Sequence, residues 1–238
     1  MRYRLPIKRA ALIIATFAFA LVALIPMRVA AGWFDAGGRG LAAREAGGTL
    51  WRGVLKEAQF GQVPLGDLQA RLNILPLFIG RARLSLSRDA PDGAFEGALS
   101  VSRHSFAVED LSGELRVPGL FAPLPLAGLT FEDVSARFAG GLCESAGGQV
   151  RATLSGELAG VTLPSGLRGE VRCAEGAVLL ALTGQSAMER VEIRVEADGR
   201  YRIDLAVRPI DAAAAERLAA AGFQPGRGGY VRRLDGSF

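Results

Sequence analysis

The sequence predicts a mainly β protein with one N-terminal transmembrane helix and a short helix near the C-terminus. Three observations lead to this fold class: an uncharged apolar run at residues 10–27, an alternation of polar and apolar residues from Leu50 onward, and an alanine-rich segment after Pro209. The 238 residues are 50% hydrophobic and 22% charged, which excludes intrinsic disorder. Because the chain has only two cysteines, a small disulfide-stapled scaffold is also excluded.

The N-terminal region predicts a basic tail at residues 1–9 and a membrane anchor at residues 10–27, between Arg9 and Arg28. A helix of that length spans about 27 Å, close to the ~30 Å hydrocarbon core of a bilayer. The bases ahead of the run favour a cytoplasmic tail, so residues 28–238 are expected on the far side of the membrane. A cleaved signal peptide is the alternative, but the run exceeds the roughly 7–15 apolar residues usual for a signal.

The four basic residues of the N-terminal tail account for the net charge of +4. Four of the 28 basic residues precede residue 10, which leaves 24 bases against 24 acidic residues. A surface that binds nucleic acid needs a basic face, whereas Arg and Glu alternate along this chain. No nucleic-acid partner is therefore predicted.

Catalytic motifs are absent from the sequence. The single histidine, His104, excludes multi-histidine metal sites, and no nucleophile motif surrounds it. No GxxxxGK[ST] phosphate-binding loop occurs, and no GxGxxG follows a predicted strand. We therefore expect no enzyme activity, no cofactor and no metal site.

Strands follow from alternation with period two. The clearest hairpin has Val191, Ile193 and Val195 on one face, then the turn dipeptide Asp198-Gly199, then a second alternating run from residue 201. Further predicted strands are Arg81–Arg88 and Thr49–Phe60, Leu68–Leu75, Phe95–Arg103, Val108–Val117, Thr130–Phe138, Val150–Leu158, Leu167–Cys173 and Ala177–Leu182. Their spacing favours an antiparallel sheet, curved or sandwich-like.

Other segments interrupt this pattern. The stretch 118–128 contains three prolines, so it either divides the domain into two similar halves or bends one long sheet. Asp211–Ala221 is predicted as a helix, with Asp211 as its N-cap and Gly222 at its end. A weaker helical pattern covers Phe34–Glu45. Since the sheet has one apolar face, it must close on itself, bury a ligand or meet a partner.

Cys143 and Cys173 are either a disulfide pair or two buried thiols. Disulfides persist in oxidising compartments, so the expected position of the domain outside the cytoplasm favours the bridge.

The order of motifs resembles a known family. The segment Gly48-Thr49-Leu50-Trp51-Arg52-Gly53 resembles the Gly-Thr-Leu-Trp-x-Gly signature of type II secretion system protein N, an accessory protein of Gram-negative inner membranes. Leu75–Leu84, Leu124–Gly128, the two cysteines and Gly229–Gly236 are similar to later parts of that family's sequence. The resemblance covers nearly the whole chain.

The resemblance implies a single-pass inner-membrane protein with a β-rich periplasmic domain. Its role would be to support export of folded periplasmic proteins across the outer membrane, with inner-membrane platform proteins as partners and the outer-membrane secretin as a further candidate. We predict Thr49, Leu50, Trp51 and Gly53 as the interaction residues, because Trp provides a large contact area and glycine permits close approach. The alternative is that Trp51 anchors the domain's own core.

The periplasmic portion also resembles the bent sheets of AsmA-like lipid-transfer proteins, which form an apolar gutter for acyl chains. This resemblance implies a second function, a lipid-binding or lipid-transfer module. The alternating apolar positions would bind the lipid; examples are Leu84, Leu86, Leu99, Val101, Ile193 and Val195. A closed hydrophobic core is the competing interpretation of the same positions.

Overall fold

Strands account for 69% of the residues that the structure describes, which confirms a mainly β protein. The computed structural model describes residues 13–14, 16–17, 20, 24–27, 41–60, 63–90, 93–116, 126–154, 157–158, 161–162, 166–226 and 228–237. The strands are β1 (Leu41–Ala42), β2 (Glu45–Thr49), β3 (Arg52–Phe60), β4 (Val63–Asn73), β5 (Ala82–Arg88), β6 (Phe95–Val101), β7 (Ser105–Arg116), β8 (Leu126–Ala139), β9 (Leu142–Leu154), β10 (Glu157–Leu158), β11 (Val161–Thr162), β12 (Gly166–Ala174), β13 (Ala177–Gly184), β14 (Glu189–Val195), β15 (Arg200–Val207), β16 (Gln224–Gly226) and β17 (Gly229–Ser237). The helices are α1 (Ile74–Leu77) and α2 (Ala212–Ala220).

Fifteen of these strands form one antiparallel sheet, and β10 and β11 form a separate hairpin. The order is β1-β3-β4-β5-β6-β7-β8-β9-β12-β13-β14-β15-β17-β16, with β2 also paired to β3. Neighbours in the sheet are mostly neighbours in sequence, as the spacing of the predicted strands indicated. The predicted hairpin is β14 and β15, and Gly199 in its turn has a φ of +83°.

The strands on either side of the proline-rich stretch are neighbours in the same sheet. β7 pairs with β8 from Ser105 opposite Ala139 to Arg116 opposite Gly128. Residues 117–125, which include most of the predicted boundary between two halves, lie outside the described residues. On both sides of them the chain belongs to the same sheet, because β7 and β8 are adjacent strands.

Alternation along the strands produces one apolar face. In β4, Leu68, Ala70 and Leu72 are buried, whereas Gln69 and Arg71 between them are exposed. Successive side chains of a strand point to opposite faces, so this burial pattern follows directly from the sequence.

The apolar face is buried along most of the sheet. One hydrophobic cluster of side chains with less than 10% exposure extends from Leu55 in β3 to Leu205 in β15. Among the described residues outside the strands, Met27, Leu50, Leu218 and nearby residues around α2 contribute to this cluster. Twisted sheets of more than about ten strands seldom stay open and flat, so curvature is expected of a sheet of this size.

Three bulges occur where an acidic residue adopts a positive φ: Glu57 (48°), Asp110 (54°) and Asp133 (50°). Each bulge shifts the strand register, and a bulge bends the strand that contains it. A side-chain oxygen on a neighbouring strand accepts a hydrogen bond from each bulged N–H group, in the pairs Glu57 to Asp67, Asp110 to Ser135 and Asp133 to Ser112. These polar side chains thus form hydrogen bonds with backbone N–H groups that do not bond to the neighbouring strand at the bulge.

The predicted C-terminal helix is confirmed. Asp211 Oδ1 accepts a hydrogen bond from the Ala214 N–H at 2.6 Å, as expected of an N-cap, and Gly222 follows the helix with a φ of +85°. The weaker helix prediction at Phe34–Glu45 is wrong where the chain is described. Leu41–Ala42 forms β1 and Glu45 begins β2, because both segments pair with β3.

Half of the predicted anchor at residues 10–27 lies outside the described residues. Ile13, Ile14 and Phe17 are helical and between 59% and 68% exposed. Within the described part of the chain, no helix has the length and apolar character needed to cross a bilayer.

Candidate functional site

The four predicted interaction residues lie at the turn between β2 and β3. Thr49 and Arg52 are opposite each other across this turn, and Leu50 and Trp51 connect them. Gly48 precedes the turn with a φ of +78°, and a Cβ there would lie 2.5 Å from the Arg52 carbonyl oxygen. A glycine at this position is therefore a requirement of the hairpin itself.

The turn binds the segment that follows the apolar N-terminal run. The Leu50 N–H donates to the Ile25 carbonyl oxygen at 2.9 Å, and Pro26 forms a β-bridge with Thr49. The Leu50 carbonyl oxygen accepts a hydrogen bond from the Leu72 N–H at 3.1 Å. The backbone of Leu50 thus connects the N-terminal segment to the end of β4.

Gly53 provides the space for Met27. A Cβ at residue 53 would lie 2.6 Å from Met27 Cγ and 2.9 Å from Met27 Sδ, and Met27 is only 1% exposed. Any larger side chain at this position would displace the methionine, since a Cβ contact below 3 Å is not tolerated. The last residue of the predicted anchor therefore packs directly against the sheet.

The structure separates the four predicted residues into two groups. Leu50 is 3% exposed and Gly53 is buried, so both make contacts within the protein. Thr49 and Trp51 are half-buried, and Trp51 also packs against the hydrophobic cluster. Part of the Trp51 surface therefore serves the core, in line with the alternative interpretation, and contact between a partner and this turn stays a prediction.

A polar groove of about 770 Å³ begins beside the turn and crosses the outward-facing side of β3–β7. Its charged lining balances four arginines against four carboxylates: Arg52, Arg71, Arg83, Arg88, Asp67, Asp89, Glu96 and Asp110. Sequence reasoning missed this groove. The available signal was the polar half of the alternation in Arg81–Arg88, which indicates an outward face but not its curvature.

Two arginine side chains form hydrogen bonds and ion pairs between the segments that line the groove. Arg83 Nη2 donates to Asp110 Oδ2 at 2.9 Å, and its Nε lies 3.1 Å from Glu109 Oε2. Arg88 donates to the carbonyl oxygens of Leu65 and Gly93 at 3.0 Å and 3.1 Å. These contacts hold the strands on either side of the groove through charge-assisted hydrogen bonds.

The bridge between Cys143 and Cys173 is present, with a Cα–Cα distance of 5.7 Å. It joins β9 to β12 beyond Gln149 and Glu170, the last pair of their ladder. The Cys143 N–H also donates to the Gly176 carbonyl oxygen at 2.7 Å. The disulfide prediction is confirmed, and the alternative of two thiols is excluded.

The apolar positions proposed to bind lipid belong mainly to the core. Leu84 is 1% exposed, and Leu86 and Ile193 are each 6% exposed. Leu99 and Val195 are partly buried against the same cluster, whereas Val101 is 40% exposed. This burial favours the closed core as the interpretation of these positions.

Titratable groups form surface pairs at the first hairpin. Lys56 Nζ donates to Glu45 Oε2 at 3.0 Å. This hydrogen bond, together with the negative charge of Glu45, raises the pKa of Lys56 above its ordinary 10.5.

His104, the single histidine of the sequence, is exposed in the turn between β6 and β7. Among the residues that the structure describes, no group of three or more His, Cys, Asp or Glu side chains could hold a metal ion.

Comparison with known proteins gives a family match over most of the chain. The family described as type II secretion system (T2SS), protein N matches residues 39–233, which include the first hairpin, the groove and both cysteines. No curated protein and no solved structure matches the chain. The family match nevertheless extends from before β1 into β17, and on that basis the chain belongs to the type II secretion system protein N family.

Proposed function

We propose that this chain is an accessory inner-membrane component of the type II secretion system. It supports export of folded periplasmic proteins across the outer membrane through protein–protein contacts and has no catalytic activity of its own. The observation that carries this proposal is the family match over residues 39–233, which covers almost the whole sheet. Membership of this family makes the chain a component of the secretion machine; its accessory role and its contacts are the proposed part.

The proposed arrangement has residues 1–9 in the cytoplasm, residues 10–27 in the inner membrane and residues 28–238 in the periplasm. The charge distribution supports this orientation, because bases precede the apolar run. The disulfide supports it too, since such bridges persist in oxidising compartments such as the periplasm. The packing of Met27 on Gly53 then holds the sheet directly beside the membrane anchor.

The proposed contact surface is Trp51 with the mouth of the adjacent polar groove. Trp51 is half-buried, Val54 is 45% exposed, and both Arg52 and Val54 line the groove. Tryptophan and arginine are the residue types most often found at the energetic centre of protein interfaces. The proposed partners are inner-membrane platform proteins, with the outer-membrane secretin as a further candidate.

Photo-crosslinking in intact cells tests this proposal. A photoreactive amino acid replaces Trp51 in one strain and Ile210 in another; Ile210 is 81% exposed and follows β15 at the opposite end of the sheet. We expect adducts with secretion-system proteins from position 51 and none from position 210. Equal adducts from both positions, or none from position 51, would reject this contact surface.

Substitutions of Trp51 separate an interface role from a core role. Trp51→Phe keeps an aromatic ring for the core, whereas Trp51→Ala removes it. If the exposed part of the indole binds a partner, Trp51→Phe should accumulate normally but secrete less. Loss of the protein itself in Trp51→Ala, with normal secretion in Trp51→Phe, would assign Trp51 to the core alone.

A further inference from the structure

An uncovered apolar segment, called the β4–β5 loop below, connects β4 to β5 and includes the short helix α1. It consists of residues 74–80, Ile-Leu-Pro-Leu-Phe-Ile-Gly, and contains no charged residue. Its large side chains are among the most exposed apolar groups of the described chain: Ile74 (54%), Leu75 (82%), Leu77 (39%), Phe78 (82%) and Ile79 (77%). Soluble surfaces seldom expose so many large apolar side chains together, so the loop marks an interaction site.

The loop satisfies much of its own backbone. The N–H groups of Phe78, Ile79, Gly80 and Arg81 donate to carbonyl oxygens within the loop, at distances of 3.0 to 3.3 Å. Pro76 has no N–H group to satisfy. Backbone groups that are paired internally enter an apolar medium at much lower cost than unpaired ones. The backbone of the loop, like its apolar side chains, is therefore suited to a lipid environment.

The position of the loop identifies its partner. Leu72 and Ile25 both form hydrogen bonds with Leu50, and the loop begins two residues after Leu72, a reach of about 7 Å. Ile25 is near the end of the uncharged run at residues 10–27. The exposed loop and the exit point of the proposed anchor thus lie at the same end of the sheet.

Neighbouring residues at this end fit a lipid surface. Val101, which is 40% exposed, lies opposite Ala82, the second residue after the loop. Arg81 directly follows the loop, and Arg103 is exposed in the adjacent turn between β6 and β7. Basic residues beside an inserted apolar loop are well placed for the anionic head groups of a bilayer.

We propose that residues 74–80 form a second membrane contact, which inserts into the interface of the bilayer that holds the N-terminal anchor. This inference rests on the proposed membrane anchor. The anchor and the loop together attach the sheet at two adjacent points, which limits its rotation about the anchor. The bilayer is the occupant because the loop is uncharged, internally hydrogen-bonded and adjacent to the apolar run.

The test uses the full chain in vesicles of phosphatidylethanolamine and phosphatidylglycerol. A photoreactive amino acid replaces Phe78 or, as the matched control, Ile210, since the two are 82% and 81% exposed but lie at opposite ends of the sheet. Mass spectrometry then measures lipid adducts at each position. We expect about tenfold more adduct at position 78, equivalent to about 1.4 kcal/mol in favour of insertion.

Leu75→Asp provides the second measurement. Leu75 is 82% exposed, so the circular-dichroism spectrum and the Tm should stay unchanged. The new carboxylate should nevertheless remove most of the lipid adduct at position 78, because insertion of the loop would carry this charge into the bilayer at a high cost in free energy. An unchanged adduct in Leu75→Asp, or equal adducts at positions 78 and 210, would overturn the proposal.

Flotation of the vesicles reports separately on the anchor. If the protein floats but position 78 yields no lipid adduct, the loop proposal fails and the anchor stands. If the protein does not float, both membrane contacts are rejected, whereas the secretion role is judged independently by crosslinking from position 51. A protein adduct in place of lipid at position 78 in cell membranes would also overturn the proposal.

Discussion

Replacing Gly53 by alanine tests whether the N-terminal segment packs on the first hairpin. The new Cβ would lie 2.6 Å from Met27 Cγ and 3.1 Å from Met27 Cβ, so the methionine must move. Met27 is only 1% exposed, so its side chain is enclosed by protein atoms. Overpacking of this kind costs about 1–3 kcal/mol in the free energy of unfolding.

A double-mutant cycle with Met27 makes the test specific. Met27→Ala alone should cost about 2–5 kcal/mol, because it leaves a cavity in the core. In that background the methionine is gone, so Gly53→Ala should cost little. The double variant should therefore be more stable than the sum of the single effects by about 0.5–3 kcal/mol.

The assay is urea denaturation of the full chain in detergent micelles, followed by near-UV circular dichroism. Gly47→Ala is the matched control, because Gly47 lies in the same hairpin and a Cβ added there would meet no atom within 4 Å. It should change stability by less than about 0.5 kcal/mol. Strictly additive effects of Gly53→Ala and Met27→Ala would refute the packing described above.

Three further predictions concern the sheet. Replacing Cys143 and Cys173 by serine should lower the free energy of unfolding by about 3–4 kcal/mol, measured by denaturation, because the bridge closes a loop with a sequence separation of 30. Leu84→Ala should cost about 2–5 kcal/mol in the same assay, since Leu84 is 1% exposed. NMR titration should give Lys56 a pKa above 10.5 that falls toward 10.5 in Glu45→Gln, and the stability from this pair should be lost as the pH rises through that raised pKa.

Each of these predictions has a contradicting result. Reductant should leave the serine variant unchanged while destabilising the wild type, and equal stability of the two without reductant would exclude a structural role for the bridge. A Leu84→Ala variant as stable as the wild type would indicate that this position is not packed in a core. A Lys56 titration that Glu45→Gln does not alter would show that the cross-strand hydrogen bond is absent in solution.

Local features of the fold can be predicted because their causes lie within a few residues. The β14–β15 hairpin follows from strict alternation on both sides of Asp198-Gly199, and α2 follows from Asp211 and Gly222 at its ends. The helix prediction around Glu45 fails for the opposite reason. Its strand β2 exists through pairing with β3, a contact that weak local helical character does not reveal.

The candidate site can be predicted only in outline. The motif from Gly48 to Gly53 is recognisable in the sequence, and its glycines do have conformational and packing roles. Which of its residues face inward depends on Met27 and Leu72, and neither position is implied by the motif. The polar groove and the exposed loop beyond Leu72 likewise depend on how the sheet bends.

Strand character, the disulfide candidates, the capped helix and the family all follow from the amino-acid sequence, because periodicity, cap residues and motif order are local properties of the chain. Tertiary packing sets what covers the apolar face and which surface remains open. Alternation shows that one face of a strand is apolar, but the partner of that face is chosen by curvature and by contacts between distant residues. For this reason the contact between Met27 and Gly53, and the position of residues 74–80 beside it, become visible only in the folded chain.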